Sequence, residues 1–406
     1  MSRLIASDAG HLVVTVGEEV GGRRQARTVL DLAGATTLYV LARSQEATSA
    51  PLEVRVGENL VGLIPARDDA TPTWHEVPLP SGVAEGPVPV TLASAREGYL
   101  STWSLGLDHT VPGGDELSLD GGRTWSAEHL GTFGIGPGRY MVRARTALGT
   151  DPAPPSFVWE DPAAPVVAAF ADLLPAAARE ADSPWAAVRA LSTWVSRAWR
   201  YRNTSETLQY APWDPFTILD WGRRERGHAG NPPVVMCVHY AIVFVAACQA
   251  LGIPARCAPI TAALNSMAGH FVAEVWSDPW ERWVMVDPNF DLVLTGPDGT
   301  PLDLGTIRDL GDRFTVDAGP GLADHLARPA ERAWYDSTLL TGAVYRQRAV
   351  WPRSDFLTHP ELTPPGHGAA AYCELELVWD ARSRDQGCGM FRYFADRTWF
   401  EAPPTI

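Results

Sequence analysis

Hydrophobic and polar positions change rhythm along the chain. Over residues 1–155, short apolar runs recur between Gly, Pro, Asp and Ser clusters: LVVTV, TLYVLA, LEVRV, VPVTLA and YMVRART. Runs of this length, rich in β-branched residues and bounded by turn formers, predict strands. SLDGGRTW (118–125) predicts a hairpin turn, because Asp-Gly-Gly takes positive φ at low cost. Trp74 stands before a Pro-bounded stretch typical of a sandwich edge. The segment reads as a β-sandwich, jelly-roll-like.

Residues 149–166, GTDPAPPSFVWEDPAAPV, read as a Pro-rich linker. From Val167 the apolar spacing becomes helical, through VVAAFADLLPAAAREA and SPWAAVRALSTWVSRAWRYR. Ser183 is placed to cap the second of these, with Pro184 at its first position and Trp185, Val188, Leu191 and Val195 as its buried stripe. That helix is expected to end near Tyr201. Residues 203–233 read as a loop along one side of a cleft, with Trp221 and His228 as candidates for substrate contact.

The apolar run from Cys237 through Leu251 predicts a buried helix, ended by Gly252 in a left-handed turn and by Pro254. Pro232 and Pro233 restrict its entry. Cys237 therefore falls in the first turn, where free N–H groups and the helix dipole favour a thiolate. ARCAPI, the stretch opened by His270 (FVAEVW) and Trp283–Val286 follow as strands, with a turn at Asp278–Pro279 and an end at Asp287–Pro288. Further on, a hairpin is expected around Asp298–Gly299 and a helix over 322–346. Strand-like runs YCELELVW and MFRYFADRTWF lie in 370–400.

The order thiol on a helix, imidazole at a strand edge, carboxylate at the end of the next strand contains the parts of an activated nucleophile. His270 lies 33 residues after Cys237, and Asp287 lies 17 after His270. With the ALGIPAR segment 250–256, Gly269–His270, Glu274, Trp283 and Val286–Asp287–Pro288, this stretch resembles the transglutaminase-like core, a papain-related cysteine fold. The likeness covers roughly residues 165–300. It implies Cys237 as nucleophile, His270 as base and Asp287 as the residue that orients the base. It also implies that an aromatic residue upstream of the nucleophile, Tyr201 or Trp199, lines the cleft or the oxyanion site, with core packing the equal alternative for both. The chain departs from the family's habit of Gly before the Cys, having Met236 there. More loosely, residues 52–95 resemble galactose-binding-like modules. The plainer reading of Cys237 is a core thiol on one helical face with Ala241, Phe244 and Cys248. His239 and Cys257 read as structural.

Composition narrows the picture. A length of 406 residues suits two or three domains, and 46% hydrophobic with 20% charged residues suits globular packing. A net charge of −15 with no basic run argues against nucleic acid as a partner. Five Cys without regular spacing suggest neither a disulfide framework nor a metal site, and Cys388 stands isolated between glycines. No secretory leader pattern and no membrane span are expected, which together point to a cytoplasmic protein. Trp103 and Trp125 are candidates for stacking a glycan on the sandwich, against the commoner role of core residues. His359 and His367 read as surface residues. The whole reads as α+β: a sandwich over 1–155, a papain-like transglutaminase core over 156–300, and a β-rich extension over 301–406 that packs on the core. Thiol chemistry on a peptide-like amide or related acyl group is expected, by hydrolysis or transfer, without metal or organic cofactor. A catalytically silent scaffold whose sandwich binds glycan or protein is the alternative.

Overall fold

The computed structural model describes all residues except 1–2, 11–12, 15–18, 68–71, 84–85, 97–101, 110, 129, 132–135, 147–151, 202–210, 224–233, 264–268, 361–375, 387–390 and 406. The sequence candidates His228, His367 and Cys388 lie outside the described residues. The fold is mixed α+β. Two sheets, one of seven strands and one of five, are built from residues 4–146, and a third of eight strands from residues 255–395.

The first two sheets enclose one apolar cluster, with strands such as Leu52–Val56 alternating inward and outward. Strand Ala35–Ser44 breaks that rule, being buried continuously from Leu38 to Ala42. Its Leu38, Val40 and Ala42 face the sandwich interior. Tyr39 and Leu41, with Trp74 and Met141, join the core that lies under the Cys237 helix. The outer face of the seven-stranded sheet is thus the surface on which the rest of the chain packs. Arg143, opposite Tyr39, is fully buried there, paired with Asp8 at 2.7 Å and lying 4.5 Å from the Trp74 ring.

Trp103 belongs to the sandwich interior, 1% exposed, its indole N–H donating to the Ala50 carbonyl at 2.9 Å. One face of Trp125 is covered by the Arg27 guanidinium, 4.0 Å from the ring.

The eight-stranded sheet runs, in order, Thr315–Ala318, Leu292–Thr295, Arg282–Asp287, His270–Ser277, Ala255–Thr261, Gln347–Val350, Val378–Asp380 and Tyr393–Ala395. Only the last pair is parallel. Strands beyond residue 300 therefore complete the same sheet as those before it. Helix Cys237–Ala250 lies against one face, and all its residues but the last are buried. A helix apolar all round is a core element. Ala255, Cys257, Ala273 and Val275 face it, while Ala258, Ile260, Val272 and Met285 face a second cluster roofed by residues 302–345.

Several local expectations are corrected. Residues 203–233 are not loop throughout: Pro215–Arg223 is a helix, its first turn accepted by Asp214, and it carries Trp221. The helical stretch after the linker splits at Pro175 into Pro165–Ala171 and Ala176–Arg179, because proline has no N–H to continue the ladder. In place of one helix over 322–346 there are helices Gly321–Leu326 and Pro329–Trp334, a π-helical turn Tyr335–Leu339 and a 3₁₀ turn Ala343–Arg346. Pro329 and Gly342, the latter at φ 71°, set those breaks. Among the described residues, MFRYFADRTWF is a strand only over Tyr393–Ala395. Asp396 then caps helix Arg397–Glu401 by accepting the Trp399 N–H. Of YCELELVW, only Val378–Asp380 is strand among the described residues.

The Pro-rich segment is no loose tether. Glu160, 6% exposed, accepts the Leu357 and Thr358 N–H groups at 2.5 and 3.2 Å, and its own N–H donates to Gln249 on the central helix. Phe157 and Trp159 stack with each other and continue onto Trp399 and Trp283.

Candidate active site

The position of Cys237 is set by an unusual cap. Met236 precedes the helix in extended conformation, φ −131°. Its N–H donates to Nδ1 of His239 at 3.0 Å, and His239 Nε2 in turn donates to the Ala211 carbonyl at 2.9 Å. Nδ1 accepting and Nε2 donating make a neutral imidazole, and burial pushes His239 down to about 4. His239 thus takes the reciprocal part that Glu or Gln plays in a capping box. It fixes Cys237 as the first helical residue, 5% exposed.

His270 opens its strand. A Cβ on the preceding Gly269 would lie 2.7 Å from the Ile260 carbonyl, so the chain passes too close for any other residue. Glu274 pairs with Met285 across the strands. His270 stands four residues before Glu274 and Asp287 two after Met285, so by the two-residue period both project from one face as diagonal neighbours. Their side chains meet: His270 Nε2 lies 2.8 Å from Asp287 Oδ2. The second carboxylate oxygen, Oδ1, accepts the N–H groups of Asn289 and Phe290 at 3.0 and 3.1 Å, so Asp287, fully buried, is held at both oxygens.

The thiol of Cys237 lies close enough to the same imidazole to act on its charge. Burial, the largest single influence on His270, works against its charge. The charge and hydrogen bond of Asp287, with those of Cys237, outweigh it and raise His270 from 6.5 to about 10. The imidazole is therefore set to be a cation at neutral pH. Burial pushes the other two described thiols, Cys248 and Cys257, well upward, with nothing to oppose it.

Two aromatic rings close over this group. Phe290 lies 6.0 Å and Trp334 5.0 Å from the His270 ring, and the two stack on each other at 5.6 Å. Asp291 anchors the turn after Asp287. At φ 53° it accepts Ser192 and Thr193 hydroxyls at 2.8 and 2.9 Å and the Gly321 N–H at 2.9 Å, joining helix Pro184–Ala198 to the roof.

Cys237, His270 and Asp287 are thus brought together. Trp199 and Tyr201 gather instead around Tyr240, one turn along the helix from Cys237, at 4.5 and 6.5 Å between rings. Trp199 is buried, and its indole N–H has no partner. Trp221 packs on the apolar core from helix Pro215–Arg223. The sequence reading missed Phe290, Asp291, Trp334 and the capping role of His239. A signal existed for Asp291, since a left-handed turn favours Asp.

Residues 172–288 match the transglutaminase-like superfamily. The matched stretch contains Cys237, His270 and Asp287, and ends one residue past the carboxylate. Among solved structures, the crystal structure of a cysteine-protease candidate from Cytophaga hutchinsonii aligns with 79% of this chain and 89% of its own, at 11% identity and a TM-score of 0.24. No curated protein matches the chain. Beyond the transglutaminase-like region, the chain supplies the roof over His270 from residues 321–346.

Proposed function

We propose that this chain is a cysteine-dependent enzyme acting on a peptide-like amide or related acyl group, with Cys237 as nucleophile, His270 as acid–base and Asp287 as the group that orients His270. One observation carries this reading: a single buried imidazole is bonded by a carboxylate at Nε2 and lies within electrostatic reach of a thiol at a helix start. The same match to the transglutaminase-like superfamily supports it.

In the first half-reaction the Cys237 sulfur adds to the acyl carbon, forming the C–S bond. The oxyanion is received by the Cys237 backbone N–H at the helix start. His270 gives its proton to the leaving nitrogen, the C–N bond breaks, and a thioester and free amine result. In the second half-reaction neutral His270 takes a proton from water, the hydroxide oxygen adds to the thioester carbon, and the C–S bond breaks to give acid and thiolate. A primary amine entering in place of water would give transfer; hydrolysis is the preferred reading. Asp287 holds Nε2 and stabilises the imidazolium throughout.

The test is to incubate the full chain with a mixed peptide library, quench in acid and measure intact and peptide masses. The reading expects an acyl adduct on Cys237, absent in Cys237→Ala, whose release with and without added primary amine separates transfer from hydrolysis. Turnover that persists in Cys237→Ala with no adduct in the wild type would sink it.

A further inference from the structure

Helix Pro329–Trp334 has no fully buried residue, yet it lies on the most buried charged pair of the candidate site. His270 is 4% exposed and Asp287 0%. Trp334, half-buried, sets its indole 5.0 Å from the imidazole and stacks on Phe290, 5.6 Å away with planes 6° apart. The helix is tied down beside it by Glu331, which bonds His325 at 2.9 Å and Arg328 at 2.7 Å. His325 is itself anchored to the Ser196 carbonyl at 3.0 Å.

We propose that Trp334 is a positioning residue that seals the His270–Asp287 pair from water and fixes the plane of the imidazole. The physical reason is dielectric. A charge pair shielded from water interacts several-fold more strongly than the same pair in contact with it. The attraction on His270 already exceeds the cost of its burial. Hydrating the pair weakens both effects, and the limit of full hydration is the ordinary imidazole. Removing the indole therefore moves His270 towards less charge at neutral pH and loosens the ring.

The titratable groups facing this pair can be named. Cys237 comes from the central helix, and Tyr335 and Tyr345, on the roof, feel the Asp287 charge. His325 and Glu331 stand behind Phe290 and Trp334. None is altered by substituting Trp334. The consequence for catalysis rests on the function proposed above; the effect on His270 itself does not.

The test follows the His270 ring by NMR across pH in the full chain, labelled at histidine, for wild type, Trp334→Ala, Trp334→Leu and Trp334→Phe. Alkylation of Cys237 by iodoacetamide is measured in parallel. The expected result is a His270 midpoint that falls from about 10 towards 6.5 in Trp334→Ala and recovers largely in Trp334→Phe. The upper pH limb of Cys237 alkylation should move with it. Because the helix has no fully buried residue, folding should survive; if Trp334→Ala does not fold, Trp334→Leu, which keeps apolar cover, decides by the same midpoint. An unchanged His270 midpoint in the folded variant overturns the proposal. A shifted midpoint with a Cys237 that never alkylates faster than Cys248 upholds the seal and refutes the enzymatic reading instead.

Discussion

His270 Nε2 meets Asp287 Oδ2 at 2.8 Å although the two residues sit on different strands and are not opposite each other. The contact is a diagonal one on a shared face, and the Asn289 and Phe290 N–H groups hold the carboxylate in place for it.

The first prediction is a pH dependence. A group raised in the folded state, from 6.5 to about 10, adds stability that is fully present below the lower value and is lost as pH rises through the upper one. Chemical denaturation from pH 6 upward should show wild-type stability declining towards pH 10 more steeply than that of His270→Gln. Parallel curves for the two proteins would contradict the imidazolium.

Asp287→Asn should keep the turn, because an amide oxygen can still accept from Asn289 and Phe290, but it removes the charge that holds His270 protonated. Activity should fall on the order of 10²- to 10⁴-fold, as in other triads that lose this charge. Circular dichroism should be unchanged. A variant that keeps full activity would remove Asp287 from the mechanism.

Cys237 and Cys248 make a matched pair on one helix. Cys237→Ala should abolish activity with little change in stability, since the side chain borders the site. Cys248→Ala, fully enclosed, should cost roughly 1–2 kcal/mol and keep activity per folded molecule. Denaturation midpoints and turnover of the two proteins check this. Equal behaviour would make Cys237 a core thiol.

Glu160→Ala tests the strap. It leaves the Leu357 and Thr358 N–H groups without their acceptor, a loss of about 1–3 kcal/mol. Proteolysis within residues 152–164 should be slow in the wild type and fast in the variant. Rapid cutting of the wild type at the same place would show that these contacts do not hold in solution.

Much of the site was legible because its signals are local. The Cys237 helix reads from unbroken apolarity and from the Gly252 stop. The two strands read from their turns, and the two-residue period then puts His270 and Asp287 on one face. What was not legible depends on long-range contacts. Glu160 meets a segment 197 residues away, and Trp334 reaches His270 from beyond three strands. A Pro-rich stretch looks the same whether it swings free or is bolted down by a buried carboxylate. The short aromatic run at 390–400 read as strand from its apolar residues, and only the Asp396 cap decides for helix after Ala395.

The most direct test of the central claim is the rate at which iodoacetamide alkylates each cysteine of the full chain at pH 7, read by peptide mass, in wild type and in His270→Gln. Cys237 is expected to react far faster than Cys248 and Cys257, and to lose that advantage when His270 is replaced. A Cys237 that reacts no faster than the enclosed thiols, or one whose rate ignores His270, would contradict an activated nucleophile at this site.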